Sequence, residues 1–392
     1  MTASAPSSAS AATIRLLVIV SSDYGELGAA MYFISGLQLE VMPAMLLPEA
    51  LAQRSDPLPG VAATTYRSLA DIVRLVDEFR PTVVMLFCGY LLSIGRRMTL
   101  LKAWWLRGLL HRRHVIVMTS DPFLGLLDKP ASLRFDEVLA RGAQRQAGPA
   151  LRLLAWLLAV RLFLMRPPLR RDWHVYCASI DRLALGDKSR RLTYFNGLPP
   201  IAVQRDAVAG QWLFVLSQID YDVQRRRFGT DRFHALLAAR ISEALQVASH
   251  VRLICPEGMK QAIRGLIDER VFVQSAPSYL VFMRHLMEAQ YVFFWNYYSF
   301  SLVHRVIARR AVFFFDEGHM VAIMPSLRQA GIDTYYAGWT PPLLSIEESL
   351  DPSAITREAG EMRARFDRIV DQLSACLSPM QLLARATAKK SQ

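Results

Sequence analysis

The chain has 392 residues, 52% of them hydrophobic, and a net charge of +12. That length suits two domains with full cores, and no stretch of 18 residues is free of charge, which excludes an ordinary membrane-spanning helix. The four cysteines, Cys88, Cys177, Cys255 and Cys376, are far apart and form no zinc-type pair. No zinc-finger, helix-turn-helix or basic-tail pattern points to nucleic acid, so the positive charge suits an anionic ligand or an anionic membrane face.

In chain order, residues 1–13 are small, polar and uncharged; they read as a disordered leader, not a signal peptide, and the expected location is cytoplasmic. Residues 14–20 (IRLLVIV) form a buried strand, followed by Asp23, Gly25, Glu26 and Gly28, a helix to about 37 and a strand over 39–46. The glycine spacing is not GxGxxG, so no dinucleotide fingerprint is present. A helix over 66–79, a strand over 82–88, a helix ending near 113 and a strand over 114–119 follow, the last with Asp121 just beyond it. Strands over 173–178 and 191–195 close the first half.

Residues 196–210 carry Gly197, Pro199 and Pro200 and read as a linker. A second cycle then opens with a strand over 212–216, the polar run 217–227, a helix over 233–248, a strand over 251–255, a helix over 259–267 and a strand over 271–274. Within 276–320 the pattern is helix, strand, polar loop, helix, strand, polar loop. A last strand is expected over 331–336 and closing helices over 355–377 and 380–386. Alternating apolar strands and helices predict an α/β protein with two Rossmann-like, doubly wound, mainly parallel domains facing across a cleft. The predicted division is leader 1–13, first domain 14–200, second domain 201–345 and C-terminal helices 346–392.

Loops after parallel strands are where such sheets bind ligands. After the strand at 291–295 come Asn296, Tyr297, Tyr298, Ser299 and Ser301, leading into a helix whose N–H groups suit a phosphate; simple N-capping by a serine is the competing reading. Glu317 and His319 follow the strand at 311–315. Asp23, Glu26 and Asp121 follow strands of the first half and are candidate bases, with a helix cap for Asp23 and a turn for Asp121 as competing readings. Asp220-Tyr221-Asp222 spells DxD, but no metal is expected. His174, His234, His250, His285 and His304 fall inside helical or strand patterns and are expected to be structural or exposed. The stretches 100–113 and 150–171 combine apolar residues, tryptophans and arginines; they fit peripheral contact with an inner-membrane surface, or packing against the sheet with arginine stems covering apolar surface.

The second half, over 211–340, resembles the donor-binding half of GT-B glycosyltransferases through the helix–strand–Asn296-Tyr297-Tyr298-Ser299–helix–strand succession. Ser217-Gln218 with Asp222, Gln224 and Arg225 resembles a Gln…Asp-x-Gln stretch of bacterial capsule-polysaccharide transferases that use CMP-Kdo. Where those relatives carry a His-Pro pair that contacts CMP, this chain has Cys255-Pro256. The resemblance implies a glycosyltransferase with a nucleotide-sugar donor, held by Ser217, Gln218, Asp222, Gln224, Arg225, Asn296, Tyr297, Tyr298, Ser299, Ser301, Glu317 and His319. A base (Asp23, Glu26 or Asp121) would act on a glycan, lipid-linked or small-molecule acceptor. A non-catalytic subunit on the same scaffold, binding a partner or membrane, is the alternative, and a sugar-nucleotide epimerase is a third reading.

Overall fold

A computed structural model describes residues 13–21, 24–87, 100–120, 167–177, 190–198, 207–296, 299–315 and 338–388, with positions 160, 164, 318, 332 and 336. Asp23, Asp121, Tyr297, Tyr298, Glu317 and His319, the leader through residue 12, and residues 150–159 lie outside the described residues.

The first sheet contains β1 (Leu16–Val20), β2 (Ala44–Pro48), β3 (Ala62–Tyr66), β4 (Val83–Phe87), β5 (Ile116–Ser120), β6 (Trp173–Cys177) and β7 (Arg191–Tyr194), in the order β3-β2-β1-β4-β5-β6-β7. The second contains β8 (Val208–Val215), β9 (His250–Ile254), β10 (Phe272–Gln274), β11 (Ala289–Phe294), β12 (Val312–Phe315) and β13 (Leu343–Leu344), in the order β10-β9-β8-β11-β12-β13. All pairings are parallel. Strand order reverses between β1 and β4 in one sheet and between β8 and β11 in the other. These are the two switch points at which a crevice opens beyond the strand ends.

The strands are unbroken apolar runs because both faces are covered. In β1, Leu16, Val18 and Val20 enter one core while Leu17 and Ile19 enter another. The first core is shared with the second half of the chain and takes in α1 (Tyr24–Ser35). The other is closed by α3 (Leu69–Phe79) and α4 (Leu100–Arg112) and contains no residue of the second half. A short α2 (Glu49–Ala52) follows β2. Around the second sheet lie α5 (Gln218–Phe228), α6 (Thr230–Val247), α7 (Glu257–Arg264), α8 (Tyr279–Glu288) and α9 (Ser301–Ile307). The closing helices separate. Helix α10 (Pro352–Leu373) lies beside α9, with Asp367 paired to Arg309 at 2.6 Å. Helix α11 (Pro379–Ala388) returns to β7, where the Phe195 N–H donates to the Leu377 carbonyl at 2.9 Å. No helix among the described residues is long and apolar enough to cross a membrane.

Several expected boundaries move. Ser68 accepts from the Asp71 N–H and Asp71 returns a bond to the Ser68 N–H, a capping box that starts α3 at Leu69. Residues from Ala62 to Tyr66 are therefore an edge strand and not the start of that helix. The second strand runs over Ala44–Pro48, later than 39–46. The polar run 217–227 is helical, because Ser217 caps α5 by accepting from the Asp220 N–H at 3.1 Å. Ile332 and Tyr336 are not in a strand, and the sheet ends instead on Leu343–Leu344. The linker stretch is anchored at its start: Asn196 donates from its backbone to the Tyr32 hydroxyl at 2.6 Å and from Nδ2 to the Tyr32 carbonyl at 2.7 Å.

Candidate functional site

The rim of the second sheet is built by the segments that leave β8, β11 and β12. Ser217 opens α5, and its hydroxyl also donates to the buried Asp220 carboxylate at 2.6 Å. Trp295, fully buried, and Asn296 leave β11. Gly318 follows β12, and a Cβ placed on it would fall 1.6 Å from the Trp295 carbonyl oxygen and 2.7 Å from Asp220 Oδ1. The first turn of α5, the end of β11 and the segment after β12 therefore converge at the β8–β11 switch point. Only a residue without a side chain fits there. In the sequence the only sign of this is a glycine three residues beyond the strand.

At the start of α9 the Ser299 and Ser301 hydroxyls pair with each other at 2.7 Å, and the residue in the cap position, Phe300, makes no side-chain cap bond. The simple capping reading of these serines is not what the structure contains. On α5, Gln218 donates to Asp222 at 3.1 Å across one exposed turn, while Gln224 is enclosed in the core side of the helix. Arg225 lies over the Tyr221 ring at 5.4 Å and Arg227 over Phe228 at 4.6 Å. These arginines occupy the last turn, about 12–15 Å along the helix from Ser217, where cations meet the negative end of the dipole. Asp220 and Asp222, two apart on a helix, point to different sides: one is buried beneath Gly318 and the other is engaged by Gln218. Among the described residues no three of His, Cys, Asp and Glu assemble a metal site.

The first half meets this rim through α1. Gly28 lies against the rings of Phe300 and Tyr279, each 3.7 Å from where a Cβ would sit. One turn on, Tyr32 makes edge contacts with Phe300 and His304 at 5.4 and 5.5 Å between centroids. Ser278, which caps α8, donates to Asp56, beyond β2 and α2. Because α1, α8 and α9 each start at the C-terminal edge of a sheet, these contacts turn the two edges toward each other. Glu26 is buried and shares the α1 face of Ala30 and Phe33, directed at its own sheet. Ser21, at the end of β1, is buried, and its hydroxyl has no hydrogen-bond partner among the described residues.

His304 sits in this contact, fully buried, with neither ring nitrogen hydrogen-bonded among the described residues. Burial holds its pKa down at about 4, against 6.5 for a free histidine. The unfolded chain therefore binds the proton first, and the stability of the neutral form is lost as pH falls from 6.5 toward 4. His304→Leu is expected to raise stability by about 1 kcal/mol at neutral pH, by removing an unsatisfied polar group. The gain should grow by about 2 kcal/mol at pH 5. Denaturant unfolding at the two pH values measures this; an equal effect at both would contradict it.

No family model and no curated protein matches the sequence. Solved structures do match the fold. The glycosyltransferase SnogD from Streptomyces nogalater aligns over 96% of this chain and 99% of its own, with a TM-score of 0.54 at 14% identity. UGT2 of Phytolacca americana, complexed with UDP-2fluoro-glucose and pterostilbene, aligns over 96% of this chain and all of its own, with a TM-score of 0.53 at 14% identity. The chain has the GT-B fold. At such identity the likeness is one of architecture. What the GT-B fold contributes here is the facing of two parallel-sheet edges across the α1 contact, with the convergence at Gly318 on the side of the second sheet.

Proposed function

We propose that this chain is a glycosyltransferase that moves a sugar from a nucleotide-sugar donor to an acceptor hydroxyl. The observation that carries the reading is the convergence of the segments after β8, β11 and β12 at the switch point of a sheet whose edge faces a second parallel sheet. SnogD carries the same fold as a glycosyltransferase, and the Phytolacca enzyme holds a UDP-sugar analogue; both support a nucleotide sugar as donor.

In this reading the donor phosphate lies beside Asn296, Ser299 and Ser301, and Ser217 borders it from α5. Tyr297, Tyr298, Glu317 and His319 are assigned to the sugar and ribose by their place in the sequence after β11 and β12. The acceptor binds at the edge of the first sheet. A carboxylate there (Asp23, Glu26 or Asp121) takes the proton from the acceptor hydroxyl as its oxygen attacks the anomeric carbon. The bond from that carbon to the phosphate oxygen breaks, and the developing charge is stabilised by N–H and hydroxyl donors at the rim. Glu26 is buried in the first turn of α1, where the helix dipole favours its charge. The reaction is proposed to need no metal. The Gln218–Asp222 face of α5 is where a CMP-sugar would be recognised if the capsule-transferase resemblance extends to the donor.

Titration calorimetry with UDP, GDP, CMP and TDP tests the reading. One of them is expected to bind, chelator is expected to change nothing, and S299A/S301A is expected to weaken binding at least tenfold, as for lost hydrogen bonds to a charged group. Binding of none of the four would count against the enzyme and favour a non-catalytic subunit.

A further inference from the structure

Helix α4 has two apolar faces, and one of them belongs to neither core among the described residues. Ala103, Leu106 and Leu110 close the outer core of the first sheet with Leu17, Ile19, Val84 and Leu86. Arg107, on the same inward side, is pinned to the buried Asp172 at 2.9 Å, and Thr119 donates to that carboxylate at 2.8 Å. The helix is thus fixed in rotation by an ion pair as well as by packing. The opposite face carries Leu101, Trp104 and Trp105, which are 79%, 42% and 46% exposed. Gly108, one turn on from Trp104 and Trp105, has open space around it.

Three features single out the occupant of this face. Residues 100–114 include no acidic side chain, and Lys102, Arg112 and Arg113 are all exposed. Arg113 pairs with Asp77 at the end of α3, which ties the basic end of α4 to its neighbour. The outer core beneath α4 contains no residue of the second half, so the face is turned away from the interface. An exposed tryptophan pair beside a leucine, bordered only by cations on its own helix, is the chemistry of a headgroup boundary and not of a protein core. Basic residues at such a face add attraction to anionic lipid. Because α4 runs from the C-terminal end of β4 back to the start of β5, its N-terminal half, with Leu101, Trp104 and Trp105, lies toward the edge that borders the crevice.

We infer that the outer face of α4 docks on an anionic lipid bilayer and brings the edge of the first sheet to the membrane, so that the acceptor is an amphiphile presented from the bilayer. The acceptor part rests on the glycosyltransferase reading; the docking part does not. Flotation of the full chain with vesicles tests the docking. Binding is expected to equal parts phosphatidylglycerol and phosphatidylcholine, with little to phosphatidylcholine alone, and it should weaken as salt rises. W104S/W105S, whose side chains lie outside the core, should abolish flotation while leaving the melting curve in place. K102Q/R112Q should weaken binding about thirtyfold, as for two basic residues removed from an anionic surface. No binding to the anionic vesicles, binding unaltered by both variants, or self-association through this face without lipid binding would overturn the inference. Nucleotide binding measured on the same protein separates the two claims. An unaltered chain that binds nucleotide but does not float with anionic vesicles sinks the docking alone, and one that floats but binds no nucleotide sinks the glycosyltransferase reading alone.

Discussion

Arg305→Met is expected to lower the stability of the second half by about 4 kcal/mol, the scale of stranding several buried polar groups at once. Arg305 is fully buried in α9 and has no carboxylate among the bonds that hold it. Its Nη1 donates to the carbonyls of Leu286 and Ala289 at 3.0 and 2.6 Å, and its Nη2 to those of Gln290 and Ala311 at 2.9 and 2.6 Å. Those four oxygens lie at the end of α8, the start of β11 and the entry to β12. One planar guanidinium therefore closes a helix terminus, which would otherwise leave carbonyls unsatisfied, and fixes where two central strands begin. Burial, with Arg310 nearby, pulls its pKa well down; the carbonyl oxygens and the negative end of α8 keep the charge tolerable. Methionine fills the volume and supplies no donor. Lysine has a single ammonium and cannot span carbonyls on two sides, so Arg305→Lys should recover little. Urea unfolding measures the loss, and a change below about 1 kcal/mol would mean that the carbonyls find other partners.

The second large effect is expected at Gly318. A Cβ there would overlap the Trp295 carbonyl oxygen, which is backbone and has no rotamer by which to withdraw. Gly318→Ala must therefore push the segment after β12 away from β11 and from Asp220. The fold should survive, with a cost of about 1–3 kcal/mol as for other overpacked sites. The rim should not: a displacement of about 1 Å at a positioned site costs on the order of a hundredfold. Nucleotide affinity is expected to fall by that order while the melting transition remains cooperative. An alanine variant that binds nucleotide normally would show that the convergence at Gly318 serves packing and not the ligand.

The central strands were legible because β1, β4, β8, β11 and β12 sit in the middle of their sheets and must be apolar on both sides. Edge strands lack that signature. Ala62–Tyr66 exposes four of its five residues, and Leu343–Leu344 is too short to show any period. Helix α5 was unreadable for a different reason: its buried residues include Asp220 and Gln224 beside Tyr221 and Val223, so polar residues occupy its inner face. The serines at 299 and 301 could be named from their position after a strand, but their mutual bond could not. Contacts distant in the chain left no local trace. Nothing around residue 32 announces a tyrosine that packs on His304, and Arg305 reads in sequence as an ordinary surface cation of a short helix. Glu26 was legible as an acid after the first strand; its burial against the first sheet depends on which side of α1 faces the second half, and that is decided by the contacts of Gly28 and Tyr32 with Tyr279, Phe300 and His304 across the interface.

The central claim is that the rim of the second sheet grips a nucleotide, and hydrogen exchange measured with and without a saturating nucleotide tests it most directly. Slowed exchange is predicted at residues 216–221 and 296–303, the two segments that flank the β8–β11 switch point, with the strands beneath unchanged. Protection confined to the first half, or none at either segment when nucleotide is bound, would contradict it.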